Sequence, residues 1–151
     1  MKALYWLLAI VLVSCKTTTP GSAGQLIQVE AGPCFGSCPV FKMTINQDRS
    51  ATYEAIRFNK DQQGTYGTTI KEEDFVKLQH LLQQTNYANL QGSFKLPITD
   101  MASITLHIPH DGKVKNIYDY GKKGTPQLEV LYQFITDLRT TQDWKLKGRF
   151  I

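Results

Sequence analysis

Two stretches that alternate apolar and polar residues, each leading into a stretch with apolar residues three and four apart, constrain the fold of this chain more than any other feature. Alternation sends successive side chains to opposite sides of a strand, so a slip of one residue would turn the buried face to water. From Pro39 to Phe58 the pattern predicts a hairpin that turns at Gln47-Asp48-Arg49. A three-residue loop sets Phe41 opposite Ala55, Met43 opposite Tyr53 and Ile45 opposite Ala51 on one face, with Lys42 against Glu54 and Thr44 against Thr52 on the other. The third turn residue then takes left-handed backbone, where glycine costs least and Arg49 is a misfit.

A second hairpin is expected from Ala102 to Tyr120. A three-residue turn at His110-Asp111-Gly112 pairs Ile104 with Tyr118, Leu106 with Asn116 and Ile108 with Val114 on the buried face, leaving Ser103, Thr105, His107 and Asp119 outside. A two-residue Asp-Gly turn would leave Ile108 facing a lysine, so the longer loop is favoured. Short strands are also expected at Leu26 to Val29 and Gly64 to Ile70. Amphipathic helices are predicted from about Lys71 to Thr85, with Phe75, Leu78, Leu81 and Leu82 inward, and from about Pro126 to Thr140, with Leu128, Leu131, Tyr132, Ile135 and Leu138 inward. Thr125 before Pro126 is a good N-cap with proline at the first helical position. Trp144, Phe150 and Ile151 are expected to fold the tail back onto the domain. The order predicts an α+β fold: an antiparallel sheet of about five to six strands with two helices packed on one face.

The N-terminus has a different character. Lys2 precedes eleven apolar residues, Ala3 to Val13, and Leu12-Val13-Ser14-Cys15 ends the run. The run is too short for a hydrocarbon core that needs about 20 residues. It resembles a bacterial lipoprotein signal peptide, which implies cleavage before Cys15 and its acylation with chains such as palmitate. Cleavage after Ala23 is the alternative. Residues 1–14 are then the signal, 15–25 a lipidated tether rich in Lys, Thr, Pro, Gly and Ser, and 26–151 one α+β domain. The partner so implied is a lipid bilayer. Lys16 is not the aspartate associated with inner-membrane retention, so resemblance favours an outer membrane facing the periplasm, with the cell surface as the alternative. Among 151 residues, 17 Lys and Arg stand against 13 acids, too weak and scattered a basic excess for a nucleic-acid interface.

With Cys15 given to lipid, Cys34 and Cys38 form an even pair in a non-cytosolic chain, and a disulfide is the default. So small a ring contributes about 2 kcal/mol. A redox-active pair and a copper or zinc site are the alternatives. Cys34-Phe35-Gly36-Ser37-Cys38-Pro39, with Thr99-Asp100 and Asp119-Tyr120 further on, resembles a family of short bacterial envelope lipoprotein domains without assigned function, over roughly Ile27 to Leu138. Arg49 departs from the turn glycine of that family. The resemblance implies an α+β domain and no substrate. C-x3-C-P also resembles the copper-chaperone motif of thioredoxin-like proteins, but there the cysteines precede a helix, whereas Val40 to Ile45 has strand period.

Other chemistry is sparse. His80 is expected on the wet side of the first helix, His107 on an outer strand face and His110 in a turn, so none converge on the cysteines. Asp100 and Asp119 are candidate loop, cap or acid-base residues; Asp100 follows the inward parity, Asp119 points outward beside Ser103, and they face opposite sides. No catalytic residue, cofactor or metal ligand is assigned. The expected function is a membrane-anchored envelope lipoprotein with a non-enzymatic binding or structural domain for a protein, peptide or envelope component. The outer sheet face, with Thr44, Thr52, Ser103, Thr105 and His107, could take such a partner. The alternatives are a thiol-disulfide protein using Cys34 and Cys38 and a copper or zinc carrier.

Overall fold

A computed structural model describes residues 24–60 and 63–150. The signal, Cys15, the tether up to residue 23 and Ile151 lie outside the described residues. Strand β1 spans Gln25–Ala31, β2 Val40–Asn46, β3 Ser50–Arg57 and β4 Gly64–Thr69, followed by helix α1, Glu72–Gln84, and a 3-10 turn, Tyr87–Asn89. Then come β5 Ser93–Lys95, β6 Ser103–His110, β7 Lys113–Tyr120, α2 Pro126–Thr141 and β8 Lys145–Gly148. All strands join one sheet in the order β5-β7-β6-β1-β2-β3-β4-β8. The α+β class holds, but the sheet has eight strands rather than five or six. It is also mixed, because β5 runs parallel to β7. The edge strands β5 and β8 are too short to carry a period of two.

The first hairpin has the expected register, with Met43 opposite Tyr53 and Thr44 opposite Thr52. Arg49 adopts φ 69°, the left-handed backbone that the loop demands. The second hairpin differs. It turns on Asp111-Gly112 alone, with φ 48° and 72°, the two positive angles of a two-residue hairpin turn. Leu106 therefore faces Ile117, Ile104 faces Asp119 and Ile108 faces Lys115. The slip turns Ile117 and Asp119 inward and leaves Val114 exposed at the hairpin tip. Lys115 is tolerated beside Ile108 because its stem can lie along the apolar face while its ammonium reaches the carbonyls of Ala88 and Leu90.

β1 lies at the centre and pairs with both hairpins, with β2 on one side and β6 on the other. Ile27, Val29 and Ala31 on β1 join Leu106, Met43 and the inward residues of both helices in a single core. Phe75, Leu78 and Leu82 of α1 are buried, Leu81 is partly so, and all five expected residues of α2 are buried. The Thr125 hydroxyl accepts from the Leu128 N–H at 3.1 Å, closing the start of α2. α1 has no cap from its own sequence. Gln142, just past α2, supplies one: its Oε1 accepts from the Lys71 N–H and its Nε2 donates to Asp74. The tail folds back as β8 against β4, and Trp144 packs on Tyr53 at 5.3 Å between ring centres. Among the described residues no helix is long and apolar enough to cross a membrane.

Candidate functional site

Cys34 and Cys38 lie in the bend between β1 and β2, with Cα atoms 5.7 Å apart and sulfurs at bonding distance. Phe35 between them is 87% exposed, and its N–H donates to the carbonyl of Asp100 at 3.1 Å. Pro39 and β2 follow directly, so neither cysteine opens a helix of its own. Among the described residues no group of three His, Cys, Asp or Glu side chains could hold a metal ion.

The two aspartates exchange the orientations expected of them. Asp100 is exposed in the loop ahead of β6, at φ 64°, and makes its contact through its carbonyl rather than its carboxylate. Asp119 is 1% exposed and accepts from the N–H groups of Lys123 and Gly124. It thereby closes the loop that leads into α2. The cause is the two-residue turn, which reverses the parity of β7. Asp119 also faces the buried hydroxyl of Tyr132, which makes no hydrogen bond of good geometry. Burial, and after it the Asp119 charge, pushes the Tyr132 hydroxyl well above the usual tyrosine range.

The histidines stay apart. His80 is exposed; His107 meets Asn116 at 2.7 Å on the outer face; His110 lies beside Asp111, at 3.3 Å. Thr44, Thr52, Ser103, Thr105 and His107 all sit on the side of the sheet away from the helices, half-buried among their neighbours.

The arrangement with the most chemical character lies elsewhere, where β3 ends near the disulfide bend. Tyr53 is inward on β3, so its hydroxyl needs a buried partner. Asn59 provides it, accepting from that hydroxyl at 2.8 Å while its amide donates to the carbonyls of Val40 and Arg57 at 2.8 and 2.9 Å. Arg139, in the last turn of α2, donates from Nη1 to the same Asn59 oxygen at 3.0 Å and from Nε to the Thr136 carbonyl. Its guanidinium lies over the Phe41 ring, 4.9 Å from the centre. Burial raises the Tyr53 hydroxyl above its ordinary value, and the Arg139 charge offsets part of that rise.

Two cavities meet at this cluster. One, about 730 Å³, is lined by Ser37 of the disulfide bend, Phe58, Asn59, Lys60, Gln63, Tyr66, Arg149 and Phe150. The other, about 470 Å³, runs from Pro39 and Tyr53 past Phe58, Asn59 and Lys60 to Arg139, Gln142 and Trp144. Phe58 and Lys60 on the shared wall have φ 57° and 48°. A non-glycine residue rarely takes such angles unless its surroundings enforce them. Between them the Asn59 side chain is anchored by its bonds to Val40, Arg57, Tyr53 and Arg139.

Sequence reasoning missed Asn59 and Arg139. An inward tyrosine on β3 was the available signal, because its hydroxyl had to find a polar neighbour. Nothing local said that the neighbour would be bridged to a residue 80 positions later. The chain finds no match among curated proteins. A family model, the domain of unknown function DUF6438, matches residues 25–139, a stretch that contains Cys34, Cys38, Tyr53, Asn59, Asp119 and Arg139 and stops before β8. Since that match covers well over half of its length, the chain belongs to the DUF6438 family.

Proposed function

We propose that this protein is a bacterial envelope lipoprotein, held to a membrane through acylated Cys15, whose domain binds a ligand at the cleft around Asn59 without transforming it chemically. The observation that carries the binding role is the pair of cavities that share the wall Phe58, Asn59 and Lys60, one of them reaching Tyr53 and Arg139. Their volumes fall in the range of small-ligand sites. The anchor rests on the Lys2 to Cys15 signal. The described chain enters β1 beside the Gln47 turn, whereas the cleft lies past the other end of that seven-residue strand. An outer membrane facing the periplasm is the favoured location.

Intact mass of the native protein, with and without reductant, tests the anchor: a mature chain that begins at Cys15, carries acyl groups and gains the mass of two hydrogen atoms on reduction is expected. A chain that begins elsewhere or lacks acyl groups removes the anchor from the reading. Affinity capture from detergent-solubilised membranes tests the binding role, with enrichment by the native protein and its loss in Phe58→Ser expected. Equal recovery with both proteins would overturn the cleft as the site.

The exposed disulfide bend favours a second reading, thiol-disulfide exchange by Cys34 and Cys38, because Ser37 lines the cleft directly. A reduction potential near about −200 to −120 mV would support exchange, and one below about −300 mV would mark a structural staple. That a strand rather than a helix follows Cys38 favours the staple.

A further inference from the structure

We propose that the cleft is a carboxylate-binding site, in which Arg139, with Lys60 on the shared wall, receives the acidic group of a ligand whose apolar body packs against Phe58 and Trp144. The inference deepens the binding reading above and rests on it.

Arg139 is held in place on three sides. Thr136 and Asn59 accept from its Nε and Nη1, and the Phe41 ring lies beneath it. A guanidinium has five N–H donors, and these two bonds use two of them. No carboxylate among the described residues forms an ion pair with it, although Asp137 lines the same cavity. Asp137 instead accepts from Gln133 at 2.8 Å. The Arg139 charge is felt nearby: Lys122 is held below its ordinary value, first by burial and next by the Arg139 charge, with Asp119 opposing.

The opposite wall is built for contact rather than for loop economy. Phe58 and Lys60, left-handed on either side of Asn59, line the same cleft as Arg139. Among the described residues, Lys60, Arg139 and Arg149 line the joined cavities against one carboxylate, Asp137, so the cleft is net positive. A planar guanidinium matches a carboxylate with two parallel N–H bonds. The last turn of α2, which carries Arg139, ends in carbonyls with partial negative charge, and these oppose a phosphate dianion more than a carboxylate.

The test uses the mature full-length protein in detergent micelles, labelled with nitrogen-15, and three probes: N-acetyl-phenylalanine, its amide and phenyl phosphate. The acid is expected to shift the side-chain resonances of Asn59 and Trp144 with a Kd of about 1 mM, typical of a ligand this small. The amide, and the acid with Arg139→Gln, should each bind at least about tenfold more weakly. Lys60→Gln should weaken the acid about threefold and carries the test if Arg139→Gln fails to fold, as judged from its amide spectrum. Equal binding of acid and amide, tighter binding of phenyl phosphate, or shifts confined to Thr44 and Thr105 on the outer face would overturn the proposal. Failure of every probe alongside partner capture that depends on Phe58 would overturn the carboxylate assignment and leave the binding reading standing.

Discussion

Asn59 shows how one polar side chain can organise an apolar neighbourhood. It is 4% exposed and meets two carbonyls, a tyrosine hydroxyl and a guanidinium, so its burial leaves no polar group unpaired. Tyr132 is the contrasting case. Its hydroxyl is buried, lacks a well-formed hydrogen bond and lies near the Asp119 carboxylate, so Tyr132→Phe should change stability at neutral pH by no more than about 1 kcal/mol. At high pH the same substitution should matter. The Tyr132 pKa is raised in the folded state from 10.0, by burial first and Asp119 second. Above about pH 10 the unfolded chain loses the proton and the folded one keeps it, so stability falls as pH rises. Tyr53, raised chiefly by burial, adds to the fall. Lys122, lowered from 10.5 chiefly by burial, acts oppositely, because the unfolded chain binds its proton more tightly and stability rises with pH until about 10.5. Urea midpoints measured across this range should therefore drop above about pH 10.5, and Tyr132→Phe should flatten the drop. An identical drop in the variant would assign it to other groups.

At the scale of elements, each hairpin obeys its turn, and the two turns differ in what they require. The loop after β2 places Arg49 at φ 69°, where the N–H of Ile70 donates to its carbonyl. Arg49→Gly should relieve the left-handed strain and give up only an exposed contact with Glu72 at 3.6 Å. Glycine also loosens the unfolded chain, so the expected net gain is about 0.5 kcal/mol, read from thermal or urea unfolding. A loss above about 1 kcal/mol would mean that the Glu72 pair outweighs the turn. In the second hairpin, Asp111 and Gly112 accept positive φ at both turn positions, and this local preference outweighs the burial of Val114 at the tip. Ile117, fully buried in the register observed, supplies the apolar contact instead.

Across the whole molecule, β8 and Trp144 close the edge of the sheet beside the cleft. The Trp144 ring packs on Tyr53, and its Nε1 donates to the Leu138 carbonyl at 2.9 Å, tying β8, β3 and α2 together. Trp144→Ala should cost about 2–3 kcal/mol in urea unfolding. It should also speed hydrogen exchange at Tyr66 and Gly67 of β4, which pair with β8, more than at Val29 in the central strand. Uniform acceleration at all three would show that β8 opens only with the whole domain. Local pattern was enough for the first hairpin, the two amphipathic helices with their inward faces, the Thr125 cap and the α+β class, because periods of 2 and 3.6 and a capping hydroxyl act within a few residues of chain. The register of the second hairpin was decided by two turn residues against a weak apolar preference. The parallel β5, the closing β8 and the Asn59–Arg139 bridge were decided by tertiary structure alone. Each joins backbone or polar groups distant in the chain, and no local pattern records which distant partner will satisfy them.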